Sequence, residues 1–203
     1  MKVTVNAGKV NQIVNADEAV VYGPRTAPGR APATHGAQLK VFLSYRRDDS
    51  RYLAERIYDR LIAWAGKGSV FKDVDSIPLG ADFRLVLERA LMEADAFLAV
   101  IGPNWINAQD EHGRRRLDAE DDYVRLEIET ALKRRLPMIP LLMEGARMPL
   151  RGELPSSLED FAFQQGTVVR TDPDFHRDVD RLIELLGQRR MPVTKTTGET
   201  FGQ

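Results

Sequence analysis

Residues 39–49 read LKVFLSYRRDD, an apolar run that ends abruptly in charged side chains. The apolar part, residues 39–44, predicts a β-strand. A helix is predicted over residues 51–65, with Ser50 as its N-cap, because apolar residues recur there at helical spacing: Leu53, Ile57, Leu61 and Trp64. A strand that leads directly into an amphipathic helix is the basic unit of an α/β fold.

The rest of the chain repeats this unit. Further strands are predicted at 69–72, 96–101, 138–143 and 166–170, and further helices at 83–93, 121–135 and 174–187. Pro140 favours an edge-proximal or bulged position for its strand. Alternating strands and helices pair in parallel through right-handed crossovers. The sequence therefore predicts a flavodoxin-like, doubly wound five-stranded parallel sheet with helices on both faces.

The chain has 203 residues, enough for one domain with extensions. Residues 39–187 carry the alternating pattern and are predicted to form that domain. Residues 23–38 are rich in proline, glycine and alanine, which predicts a flexible linker. Residues 1–22 form a β-prone, repeat-like N-terminal segment, and residues 188–203 predict a disordered tail.

The composition excludes several classes of protein. There is no cysteine, which excludes a disulfide scaffold, a thiol nucleophile and a zinc–thiolate site. The three histidines are isolated, so no metal is expected. The net charge is −1 and no apolar run approaches the roughly 20 residues of a membrane helix, so neither nucleic acid nor membrane is an expected partner. Without a signal-peptide pattern, the expected location is cytoplasmic.

Ligands of doubly wound sheets bind beyond the carboxyl ends of the strands. No GxGxxG, GxxxxGK(S/T) or GxSxG motif stands there, which argues against a dinucleotide fingerprint, a P-loop and a hydrolase nucleophile elbow. The first strand ends instead in Arg46 and Arg47, where a magnesium-binding receiver domain would need carboxylates. Cations at a strand end suit a ligand that carries phosphate.

Three segments, in order, resemble the motifs of one family. Residues 42–49 (FLSYRRDD) resemble the first box of TIR (Toll/interleukin-1 receptor) domains, and residues 72–83 (KDVDSIPLGADF) resemble the second box, which contains the BB loop. Residues 122–142 (DYVRLEIETALKRRLPMIPLL) resemble the helix and strand in which enzymatic TIR domains carry a glutamate four residues after an aromatic residue. The resemblance covers about residues 37–187.

The resemblance implies one of two functional classes. Bacterial, plant and axonal TIR domains cleave NAD at the nicotinamide–ribose bond and give ADP-ribose or a cyclic isomer, whereas many animal members are non-catalytic adaptors. The expected function is therefore an NAD glycohydrolase (NADase) in anti-phage defence, innate immune signalling or regulated cell death. The alternatives are a non-catalytic TIR scaffold and an effector that mimics host TIR domains through BB-loop contacts. NAD is the expected substrate, and no cofactor is expected.

Glu127 is the expected catalytic residue, because it lies four residues after Tyr123, where the family often has tryptophan. The helical pattern agrees, since it places Glu127 at the margin of the apolar stripe and predicts that Glu129 is solvated. A carboxylate there can stabilise the oxocarbenium-like state of N-glycosidic cleavage. The alternative is a boundary glutamate that pairs with Arg125 or with an i+4 neighbour.

Further residues are expected to bind the substrate: Ser44, Tyr45, Arg46, Arg47, Asp73 and Tyr123. In the alternative, the two arginines are solvated strand-end charges and Asp73 caps the BB loop. Phe42 is expected in the core, and Trp105 either packs in the core or stacks on a ligand ring. Residues 114–116, three consecutive arginines, are expected to be a solvated run.

Two segments are expected to form a homo-oligomer. The resemblance implies that the BB loop contacts a neighbouring protomer, and this loop contains Ser76, Ile77, Pro78, Leu79 and Gly80. Ile77 and Leu79 are costly to expose unless they face a partner, the alternative being that they fold back onto the domain. Residues 5–13 and 14–22 both begin Val-Asn-Ala. This β-prone segment is expected to pair with other chains, unless the match is a chance similarity in a leader.

Overall fold

The computed structural model describes residues 3–7, 10–14, 39–72 and 80–189. The chain divides into two compact units, Met1–Gly36 and Ala37–Gln203, and each is described by itself. Several sequence predictions concern residues outside the described ranges: the linker at 23–38, Asp73, the BB-loop residues Ser76, Ile77, Pro78 and Leu79, and the tail beyond residue 189.

The first unit contains a β-hairpin. Strand β1 (Val3–Ala7) pairs antiparallel with strand β2 (Val10–Val14). The register runs from Val3 opposite Val14 to Ala7 opposite Val10. Both strands are rich in valine, a residue that favours the extended backbone.

The second unit is built on a five-stranded parallel sheet. Its strands are β3 (Val41–Ser44), β4 (Val70–Lys72), β5 (Ala96–Ile101), β6 (Met138–Leu142) and β7 (Thr167–Val168). They lie in the order β4-β3-β5-β6-β7, so the chain moves from β3 to one edge and then turns to the other side. The predicted flavodoxin-like, doubly wound fold is confirmed.

Helices cover both faces of this sheet. They are α1 (Arg47–Ala65), α2 (Phe83–Glu93), α3 (Tyr123–Lys133) and α4 (Phe175–Arg189). Helices α1 and α4 enclose one apolar core against the sheet, and α2 and α3 enclose the other. Since strand side chains alternate between faces, all six residues of β5 are buried. No helix in the described ranges is long and apolar enough to cross a membrane.

Helix α1 begins four residues before its predicted start. Asp48 and Asp49 occupy its first turn, where carboxylates interact favourably with the helix dipole. The predicted N-cap at Ser50 is wrong, because Ser50 lies inside the helix and its hydroxyl donates a 3.1 Å hydrogen bond to the Arg46 carbonyl. Further along, β7 pairs with β6 only after Pro140, at Leu141 and Leu142, which agrees with the edge-proximal position predicted for this strand.

Asp178 ties α4 to the end of the sheet. Its carboxylate accepts hydrogen bonds from the backbone nitrogen of Arg170 at 3.1 Å and from Arg170 Nε at 2.8 Å. The bond from the Arg170 guanidinium lowers the pKa of Asp178 from 3.8 to about 2. Because this pKa is lower in the folded protein, the contact stabilises the fold above about pH 4 and is lost as the pH falls towards 2.

We therefore expect Asp178→Asn to lower the melting temperature at pH 7, since the neutral amide gives up the charge-assisted bonds. The difference in melting temperature between wild type and variant should narrow between about pH 4 and about pH 2, where the wild-type carboxylate becomes protonated. Thermal unfolding followed by circular dichroism across this pH range tests the prediction. A difference that stays constant with pH contradicts it.

Candidate functional site

The switch point of the sheet lies between β3 and β5. Strand β3 leads into α1 on one face, and β5 leads through a long connection into α3 on the other face. The chain therefore diverges at the carboxyl ends of these two strands, and a crevice opens there in folds of this kind. Ser44, the last residue of β3, lies in register with Ala99 of β5.

Ser44 and Glu127 meet at this edge. The Ser44 hydroxyl donates a 2.5 Å hydrogen bond to Glu127 Oε2, between residues 83 positions apart in the chain. Glu127 is only 4% exposed and Ser44 only 2%. A buried carboxylate needs hydrogen-bond donors, and Ser44 supplies one. Charges also interact more strongly in such an environment than in water.

Glu127 is more deeply buried than its position at the margin of the apolar stripe predicts. The helical pattern shows only where a side chain lies on its own helix. In the structure the end of β3 also packs against Glu127, through Ser44. Glu129 also differs from its prediction: it is partly buried and accepts hydrogen bonds from Arg125 Nε at 2.7 Å and Ser157 Oγ at 2.6 Å. Arg125, one of the two partners considered for Glu127, forms an i,i+4 pair with Glu129.

Arg46 points into the domain. Its guanidinium donates two hydrogen bonds to the Asp122 carboxylate, at 2.9 and 3.0 Å, and its Nε donates to the Trp105 carbonyl at 3.2 Å. The two side chains of the ion pair are 1% and 2% exposed. This corrects the expectation of an open strand-end cation, because Asp122, 76 residues away in the chain, draws the guanidinium inward.

Asp122 has two further contacts. It caps α3 by accepting a hydrogen bond from the Arg125 backbone nitrogen at 3.0 Å, and it accepts another from Arg116 Nε at 3.2 Å. The end of β3 is therefore attached to α3 twice, through Arg46 at the start of the helix and through Ser44 one turn further on. These attachments fix the position of Glu127 relative to the sheet.

Tyr123 lies one helical turn before Glu127 and is 50% exposed. Its ring contacts the Phe83 ring edge to face, with centroids 4.4 Å apart. Tyr123 also lines a cleft of about 510 Å³, together with Asp48 from α1 and residues of the connection between β5 and α3. Among the predicted substrate-binding residues in the described part of the chain, Tyr123 is the one that lines this cleft.

Sequence reasoning missed Asp48 and Arg116 as lining residues. Arg116 is half-buried and lies within ion-pair distance of Asp48, at 3.6 Å, and of Asp122. Arg114 pairs with Asp110, and Arg115 pairs with Asp118. The predicted solvated run is therefore a set of ion pairs. The available signal was the group of carboxylates close by in sequence, which includes Asp110, Asp118 and Asp122.

A family model for the TIR domain matches residues 41–183. The chain belongs to the TIR domain family. No curated protein matches it. Among solved structures, the chain is similar to the TIR domains of the activated Roq1 resistosome directly recognizing the pathogen effector XopQ, with 16% identity and a TM-score of 0.48, covering 75% of this chain and 99% of that one.

Tyr45 and Arg47, the other two predicted residues at the end of β3 in this TIR domain, lie in different environments. Tyr45 is 9% exposed and belongs to the apolar core under α1 and α4, whereas Ser44 bonds to α3 on the other face. Neighbouring residues of an extended chain point to opposite faces, which agrees with these two environments. Arg47 is exposed at the first position of α1.

Phe42 and Trp105 both lie in the core of the TIR domain. Phe42 stacks on Phe97 with ring centroids 5.5 Å apart, as expected for a core residue. Trp105 is 1% exposed and packs against Phe161, so core packing, one of its two expected roles, is the observed one. The described residues contain no group of three or more histidine, aspartate or glutamate side chains placed to hold a metal ion.

The BB loop is described only at its last residue, Gly80. Its φ of 84° lies in the left-handed region, where a side chain strains the backbone. The substrate role of Asp73 and the partner-facing role of Ile77 and Leu79 concern residues outside the described ranges and stay predictions.

Proposed function

We propose that this TIR domain is an NAD glycohydrolase with Glu127 as its catalytic residue. The observation that supports this most is a buried carboxylate, hydrogen-bonded by Ser44, at the switch point of a doubly wound sheet. Burying a charged side chain costs stability, and a cost of this kind is common at functional sites. The resemblance of residues 122–142 to the family motif also implies that Glu127 stands where enzymatic TIR domains carry their glutamate.

The proposed reaction breaks the bond between the nicotinamide nitrogen and ribose C1′. The bonding electron pair leaves with the nitrogen, which becomes neutral, and positive charge develops on the ribose ring. Glu127 stabilises this charge, and Ser44 holds one of its carboxylate oxygens in place. Water then adds to C1′ and releases a proton, giving ADP-ribose. Attack by a nitrogen of the adenine ring gives a cyclic isomer instead.

Arg47 and Tyr123 are the proposed substrate contacts in the described part of the chain. Arg47 is exposed at the carboxyl end of β3, where a guanidinium can bind the diphosphate. Tyr123 exposes half of its surface beside the cleft, and its ring can stack on a base. Arg46 is better suited to hold α3, since its guanidinium already bonds to Asp122.

The direct test is to incubate the purified protein with NAD and to separate the products by chromatography. We expect nicotinamide to appear in equal amount to ADP-ribose or a cyclic isomer. If the protein releases no nicotinamide even when it is assembled, the proposal is wrong and a non-catalytic scaffold or host-mimicking effector becomes the better account. Roles in anti-phage defence, innate immunity or cell death, and the cytoplasmic location, rest on the resemblance and the sequence and stay predictions.

The proposal includes activation by contacts between protomers through the BB loop. We expect Leu79→Asp to reduce NAD cleavage at least about tenfold with little change in melting temperature, because a charge in an apolar contact between protomers weakens it. Leu85→Asp is the matched control, since Leu85 is 65% exposed on the neighbouring α2. A large fall in the melting temperature of Leu79→Asp would show instead that the loop folds back onto its own domain.

A further inference from the structure

We propose that the β1–β2 hairpin is a self-assembly element through which copies of this chain stack edge to edge, in register. This goes beyond the proposed enzymatic function, because the assembly needs neither NAD nor Glu127. Each open edge of the hairpin is proposed to pair with the hairpin of a second copy of this chain.

The register gives the hairpin two unlike faces. Directly paired residues of an antiparallel ladder share a face. One face therefore carries Val3, Val5, Ala7, Val10, Gln12 and Val14, and the other carries Thr4, Asn6, Asn11 and Ile13. The first face is apolar at five of its six positions. An apolar sheet face is stable only when another layer covers it.

The hairpin also has two open edges. It is a two-stranded sheet, so β1 and β2 are each paired on one side in the described part of the chain. The outward backbone N–H and C=O groups of an edge strand form a template for another strand. A two-stranded hairpin alone is at best marginally stable in water, so adding strands at its edges stabilises it.

The sequence of residues 3–14 favours an identical partner. It contains one charged residue, Lys9, and no proline, so it offers little charge complementarity to a different protein. Short β-prone segments of low charge stack in register with their own copies, and asparagine ladders add hydrogen bonds along the stack. Asn6 lies opposite Asn11, so each added copy extends one such ladder by two asparagines.

The test uses the full chain with reciprocal charges at position 5. Each hairpin contributes two strands to the stack, so Val5 of each copy lies about 9.6 Å from Val5 of the next, and Val5→Lys or Val5→Glu places a row of like charges along one face of the stack. We expect wild type to form species many times the 22.9 kDa monomer mass, and each single variant to remain monomeric. An equal mixture of the two variants should assemble again, because opposite charges then alternate.

Light scattering after size exclusion measures the mass, and fibre diffraction of the wild-type assembly should show a reflection near 4.7 Å. Ala33→Lys, outside the hairpin, is the matched control and should assemble like wild type. Glu127→Gln should also assemble like wild type, which separates this inference from the catalytic one. The inference is overturned if wild type stays monomeric, if Val5→Lys assembles unchanged, or if the charge mixture fails to assemble.

Discussion

We expect Glu127→Gln to reduce the proposed NAD cleavage by at least about 100-fold, the scale found when one preorganised electrostatic group is removed. Glutamine keeps the size of the side chain and its helix propensity, and its amide oxygen can still accept the hydrogen bond from Ser44. The substitution therefore removes the negative charge of the side chain and little else. The measurement is the rate of nicotinamide release per folded molecule, at equal protein concentration and equal assembly state.

Glu129→Gln is the control on the same helix. Glu129 pairs with Arg125 and Ser157, so this change should lower stability by about a few tenths of a kcal/mol, as for a helical i,i+4 pair, and leave the rate per folded molecule nearly unchanged. The two variants thus separate a catalytic carboxylate from a structural one. If both lose activity to the same extent, Glu127 is not the catalytic residue.

The fold could be predicted because its signals are local. The apolar run at 96–101 and the helical spacing over 51–65 each fall within one element, and alternation of such elements leaves few topologies. The start of α1 was predicted four residues too late. Serine and aspartate are both common N-cap residues, so the sequence alone does not show which of them precedes the helix. In the structure the N-cap residue is Arg46, which makes no side-chain cap bond, while Asp48 and Asp49 lie in the first turn and Ser50 bonds back to Arg46.

The contacts of the candidate site are not local. Arg46 and Asp122 are 76 residues apart, and Ser44 and Glu127 are 83 apart. A helical pattern cannot show which strand end will cover a helix, so it placed Glu127 at the margin of the apolar stripe. The resemblance supplied the identity of the glutamate. The structure adds its burial, the hydroxyl that holds it, and the ion pair that fixes the start of its helix.

Asp122→Ala should destabilise the TIR domain by about 3–5 kcal/mol, the range found when one partner of a buried ion pair is removed. Arg46 is only 2% exposed in the wild-type domain, and the change removes both carboxylate bonds of its guanidinium. Helix α3 loses its N-cap in the same step. Total stabilities of 5–15 kcal/mol are typical of single domains, so the loss is a large fraction. Chemical denaturation at 25 °C measures it.

Two variants separate the buried charge from the cap. Asp122→Asn keeps an N-cap residue of equal quality but removes the charge, so we expect it to be nearly as destabilising as Asp122→Ala. Asp82→Ala removes the N-cap of α2, where an exposed aspartate accepts from the Arg84 backbone nitrogen at 2.8 Å. It should cost only about 1 kcal/mol. If Asp122→Ala costs no more than Asp82→Ala, the buried pair contributes no more than a cap.

The double variant Arg46→Met/Asp122→Leu then distinguishes stability from positioning. Apolar side chains of similar length can replace a buried ion pair at little cost or with a gain, so most of the stability lost in Asp122→Ala should return. Methionine and leucine cannot reproduce the two directional bonds between the end of β3 and the start of α3, however, so this attachment of the helix to the sheet is lost. We expect the double variant to fold with near wild-type stability and to cleave NAD more slowly than wild type, because Glu127 lies on the same helix one turn further on. Full activity in a stable double variant would show that Ser44 and packing are enough to position the glutamate.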